Sequence, residues 1–143
     1  MAVTSTVSNK IKYALNTKKI DFSADTFKMC LMDTGFSFDK DAHHYYSDIS
    51  ASEIASGNGY TTGGATMAGV SVTEDDTNDR TTVAWSTNPS WTASGGAISA
   101  IGAIIYDDTA TDKPIVGYIS FGTTESAVDT KIFTVQTVVF RTA

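Results

Sequence analysis

A mainly β fold is expected for this chain: an antiparallel β-sandwich or small barrel with a short N-terminal helix and a long irregular loop. Three features point to it. Apolar residues alternate with polar ones in several short segments, the period of a strand with one buried face. Turn formers separate those segments at intervals of roughly ten to fifteen residues through the second half, as in sandwiches and barrels. The 143 residues suit one domain over positions 1–143, and a chain of that size buries roughly 70% of its unfolded surface without metals or disulfides.

The opening segment, TVSNKIKYALNTKKI, places Val7, Ile11, Ala14 and Leu15 three and four residues apart, on one side of a helix of about three turns. Ser5, Thr6 or Ser8 can cap its N-terminus. Lys10, Lys12, Lys18 and Lys19 fall off that stripe or past the helix end and read as a solvated face. In DTFKMCLMD, Phe27, Met29 and Leu31 alternate with Lys28, Cys30 and Met32, which predicts a strand. Cys30 reads as a packed thiol, since no histidine is placed locally to activate it. Residues 33–64 keep no sustained period, and a loop of that length is functional, self-packed or in contact with a partner. Within it SDISASEIA has room for one or two helical turns, with Ser50 and Glu53 at the spacing of a capping box. The glycines of GNGYTTGG turn the backbone through positive φ.

The rest reads as sheet. GVSV and RTTVAWS flank the acidic turn EDDTND; Val70 and Val72 alternate with polar residues, and Val83 and Trp85 fall on one face. TNPSWTASGG is a turn with a short edge segment at Trp91. AISAIGAIIYDD is apolar on both sides, as a central strand between two layers would be, and DDTATDKP turns it into IVGYISFG. KIFTVQTVVF is expected to close the chain as one strand, with Phe133, Val135, Thr137 and Val139 on one face and Ile132, Val138 and Phe140 on the other.

Charge and motif spacing narrow the function. The net charge is −6, and the ten lysines and arginines form no basic run, which argues against nucleic acid and anionic membranes as partners. No apolar stretch approaches a membrane span, and the first residues lack the apolar run of a signal peptide, so a soluble protein made in the cytosol is expected. Charged residues make up only 18% of the chain; a surface of uncharged hydroxyls suits assemblies, because burying a hydroxyl with a partner costs less than burying a charge. His43 and His44 are adjacent and lack the i, i+4 bite of a helical zinc site. GNGYTTGG lacks the third glycine of a dinucleotide fingerprint and the lysine of a phosphate loop. Asp75, Asp76, Asn78 and Asp79 crowd oxygens as a calcium loop would, without the EF-hand glycine and glutamate; Asp107, Asp108 and Asp112 resemble them. No serine-histidine arrangement suggests a triad. The expectation is a non-enzyme with no catalytic residues, no cofactor and no metal. Trp85 reads as core, whereas Tyr45, Tyr46, Ile49, Ile54 and Tyr60 are the candidates for contact with a partner.

The blocks DTFKMCLMDT, HHYYSDISASEIASGNGYTTGGATMAGVSVT, IGAIIYDD, KPIVGYISFG and FTV, in that order, resemble a family of small virion structural proteins of tailed bacteriophages, described as head-decoration or tail-fibre proteins. The middle block is the most specific, and SGGAISAIGAI departs from the pattern. The resemblance implies assembly and brings no catalytic residues. It implies a virion protein made in the host bacterial cytoplasm, a capsid decoration or cement protein that binds the major capsid protein or other virion proteins. A homo-oligomer is expected, with trimers suited to threefold lattice sites. The alternative is a tail or fibre component that contacts host-surface glycans.

Overall fold

The computed structural model describes residues 4–136 and 138–142. Its elements run β1 (Thr4–Val7), α1 (Lys10–Asn16), β2 (Phe27–Met32), α2 (Tyr46–Ile49), β3 (Ala65–Thr66), β4 (Val70–Asp75), β5 (Arg80–Trp85), β6 (Ser90–Thr92), β7 (Ile98–Asp107), β8 (Ile115–Ala127), β9 (Ile132–Thr134) and β10 (Val139–Thr142). A 3-10 turn, Ser50–Ser52, extends α2. The fold is mainly β and sandwich-like, and its strand pairings are antiparallel. Five strands form a sheet in the order β1-β8-β7-β2-β3, three form another in the order β10-β5-β4, and β6 pairs with β9. Among the described residues no helix is long and apolar enough to cross a membrane.

The five-stranded sheet is apolar on both faces, and each face has its own cover. On one face Phe27, Met29 and Leu31 of β2 with Ala103 and Ile105 of β7 pack in one cluster with Val83 and Trp85 of β5, Phe140 of β10 and Ile11 and Ala14 of α1. Trp85 meets Phe22, Phe27 and Phe140 edge-on, the ring arrangement that aromatic quadrupoles favour. On the other face Cys30, Met32, Ile104, Tyr106 and Tyr118 pack with Phe36 and Ile49 from the 33–64 segment. The loop thus does for this face what the smaller sheet does for the first. This is why β2 and β7 carry apolar residues at consecutive positions, each fully buried side chain of this kind contributing about 1.5–3 kcal/mol.

The helix begins later than its apolar spacing suggests. Val7 belongs to β1, which pairs with β8 at Gly117, and α1 is seven residues long, two turns instead of about three. Three β-branched residues in Thr4–Val7 favour the extended chain, and the strand partner offered by β8 outweighs one more helical turn. Ser8 serves the helix start: its Oγ accepts the Lys10 N–H at 3.3 Å. Ile11 and Ala14 are buried as expected and Leu15 packs against the core.

The closing segment also differs. KIFTVQTVVF forms two short strands in different sheets, β9 beside β6 and β10 beside β5. Breaking the strand shifts the parity, so Phe133, Val135, Val138 and Phe140 are all buried while Ile132 is 63% exposed. Phe133 meets Trp91 and Phe121, whereas Phe140 meets Trp85, and one straight strand cannot reach both ring clusters. Thr137 lies outside the described residues.

Candidate interaction site

The 33–64 segment, the arm, is held across the sheet by backbone hydrogen bonds at two places. At 44–46 the backbone runs beside the beginning of β8: Tyr46 N–H donates to Lys113 O at 2.9 Å and Ile115 N–H to His44 O at 2.8 Å. At 52–54 it returns to the end of β2, where Asp33 N–H donates to Ser52 O at 2.9 Å and Ile54 N–H to Leu31 O at 3.0 Å. The chain re-enters the sheet at Gly64, where φ is +79° and an added Cβ would lie 1.8 Å from Met29 O; only glycine fits there.

Glu53 is the hub. It is 8% exposed, and its carboxylate accepts from the Tyr46 hydroxyl, from the Tyr60 hydroxyl at 2.5 Å and from Gly63 N–H at 2.7 Å. The Tyr60 oxygen in turn accepts Leu31 N–H at 3.0 Å, and the Tyr106 hydroxyl donates to Gly63 O at 2.6 Å. Hydrogen bonds to a charged acceptor contribute about 1.5–3 kcal/mol each, enough to offset much of the cost of desolvating one carboxylate. Burial, and then the bond to Glu53, pushes the phenols of Tyr46 and Tyr60 far above their ordinary range, so both remain donors. Burial first, then the Glu53 charge, also pushes the Cys30 thiol well up, which leaves it unreactive.

Ser50 and Glu53 do not form the expected capping box. The first turn is capped instead by Asp48, whose Oδ2 accepts the N–H groups of His44 at 3.0 Å and Tyr45 at 2.9 Å. Glu53 is drawn inward because two phenols, each seven residues away along the chain, converge on it. Its role was missed from sequence; an acid flanked by Tyr46 and Tyr60 at equal spacing was the available signal.

The five contact candidates separate into two groups. Ile49 and Tyr60 are buried at 1% and 2% exposure and serve the domain's own core. Tyr46, Ile54 and Tyr45 are half-buried. The Tyr46 ring lies 4.6 Å from that of Tyr106, and Ile54 packs on the main core. Tyr45, with Lys10 Nζ 5.6 Å from its ring, opens onto a shallow cleft of about 480 Å³ that it shares with Tyr46, Ser47, Thr111, Asp112 and Lys113.

Several of the other candidate groups are engaged within the fold. His43 Nδ1 accepts Asp39 N–H at 3.0 Å, and its ring stacks on Phe36. Asp75 binds Asn78 and Arg80 across the β4–β5 turn, and Asn78 with Arg80 holds its carboxyl below the usual carboxylate range. Asp108 pairs with Lys113 and Lys28, Asp112 with Lys19, and Asp107 is fully buried, so these three acids point to different partners. Among the described residues no group of three or more His, Cys, Asp or Glu is placed to hold a metal ion.

Comparison with family models, curated proteins and solved structures returns no match. The chemistry of the site therefore rests on its own geometry: a buried carboxylate that fastens an arm, and a shallow cleft with one half-exposed phenol at its rim.

Proposed function

We propose that this chain is a virion structural protein of a tailed bacteriophage, a capsid decoration or cement protein that binds the assembled head and stabilises it. Its partners on this reading are the major capsid protein or other virion proteins and further copies of itself. The observation that carries the reading is the use to which the chain puts its reactive groups. Glu53, Cys30, His43 and Asp75 all hold the fold together, while serines and threonines dominate the exposed run of β8 after Phe121. The resemblance of the HHYYSDIS to TTGGAT block to virion proteins supports it from the sequence side.

A subunit that binds only the assembled lattice shifts the disassembly equilibrium by mass action. Many copies on one particle make a modest interface per copy sufficient. The test is copy number: gel densitometry of purified virions should give as many copies as capsid subunits to within a small factor, and a handful per particle overturns the reading.

A second reading, a tail or fibre component contacting host glycans, is favoured by the Tyr45 cleft alone, where an aromatic face lies beside Ser47, Asp112 and Lys113. Saturation-transfer NMR with surface oligosaccharides decides it, since binding lost in Tyr45→Ala would move the assignment from head to tail.

A further inference from the structure

Four large apolar side chains among the described residues are more than half exposed, and two of them, Val128 at 61% and Ile132 at 63%, flank the turn between β8 and β9. They border a groove of about 310 Å³ whose floor includes Phe121 and Phe133 and whose rim carries Glu125 and Lys131. Neither rim charge forms an ion pair with a described residue. Among the described residues, Glu125 Oε1 accepts the Thr123 hydroxyl alone, at 3.3 Å.

The turn itself is held firmly. Lys131 N–H donates to Val128 O and Thr130 N–H to Ala93 O, both at 2.9 Å, and Asp129 Oδ1 accepts Gly95 N–H at 2.9 Å. A partner that docks here meets a preorganised surface and pays little ordering entropy.

We propose that this groove is the surface by which a second copy of the chain docks, Val128 and Ile132 packing across the contact and Glu125 of one copy facing Lys131 of the next. Charge selects the occupant. The chain carries −6 overall, so two copies repel over most of their surfaces. The groove instead presents one carboxylate and one ammonium without an ion-pair partner among the described residues, beside an apolar strip, which makes it complementary to itself. A strongly acidic or strongly basic partner would match one of the two charges and oppose the other. The inference rests on the self-association that the proposed function includes and names its surface; it is tested on the isolated chain, so it can fail while the copy-number test of the virion reading holds.

Sedimentation velocity on the purified chain, from about 1 to about 100 μM, tests it. The expected result is a reversible species larger than the 15.2 kDa monomer. Ile132→Asp and Val128→Asp should return it to monomer, with a thermal midpoint equal to that of the wild type at a concentration where the wild type is monomeric, because both side chains are exposed. Glu125→Lys and Lys131→Glu should each weaken association about tenfold, and combining them should restore it. A wild-type chain that stays monomeric throughout, or a combined variant no tighter than its parents, overturns the proposal.

Discussion

Asp107 has no exposed surface, and only one of its carboxylate oxygens has a partner among the described residues. Oδ1 accepts the N–H groups of Thr109 at 2.8 Å and Ala110 at 3.2 Å, which shapes the β7–β8 turn, while the carboxyl of Asp25 lies beside it. Burial first, then Asp25, pushes the Asp107 pKa from 3.8 up to about 7. A raised folded-state value means that the folded chain binds more protons than the unfolded one between those limits. The associated stability is therefore full below about pH 4 and lost as pH rises through about 7. Asp107→Asn keeps the acceptor for Thr109 and Ala110 and offers an amide donor to Asp25 at every pH. It should raise stability by on the order of 1 kcal/mol at pH 8 and leave it unchanged at pH 4, measured by urea denaturation. Equal effects at both values would show that the Asp107 proton is not linked to folding. Asp108 acts in the opposite sense: its hydrogen bond to Lys113, with Lys28 adding to it, holds its carboxyl low, so its contribution is lost only at strongly acid pH.

Among the elements, the arm is the one whose stability rests on polar fasteners as much as on apolar contact. Its apolar anchors are Phe36 and Ile49, and its polar closure is the trio of donors on Glu53. Glu53→Ala removes that closure and leaves the Tyr46 hydroxyl without its acceptor; the expected cost is about 3 kcal/mol. Hydrogen exchange should locate the damage. The amides of Ile54 and Gly64, which donate to Leu31 O and Thr61 O, should exchange much faster in the variant, while those of β7 and β8 follow only the fall in global stability. Uniform acceleration through every strand would mean that the arm and the sheet open together and that Glu53 is not a local fastener.

At the level of the whole molecule, the arm is a layer in its own right, and Cys30 reports on it. The thiol is fully buried between the five-stranded sheet and the arm. Labelling by a disulfide reagent should be slower than for an unfolded thiol by about a thousandfold or more, and should accelerate with urea as the arm opens. Prompt labelling of the native chain would show that this face of the sheet is not covered.

The alternation in FKMCLM and RTTVAW, the long apolar run of AISAIGAIIYD and the turn residues between them are local signals, and they suffice for the antiparallel, mainly β architecture. Residues 33–64 were legible as irregular chain with one or two helical turns, because the absence of a period is also local. Long-range contacts settled the rest. Val7 joins a strand because β8 passes beside it, and KIFTVQTVVF breaks because Phe133 and Phe140 belong to different ring clusters. Ile49 turns inward because the Cys30 face of the sheet has no other cover, and Tyr60 because its ring packs against Trp91 in the main core. Glu53 becomes a hub only once Tyr46, Tyr60 and Gly63 are folded to within hydrogen-bonding distance of one buried carboxylate. Periodicity records which side of an element is apolar, but the identity of what covers that side depends on which distant segment reaches it first at the lowest free energy.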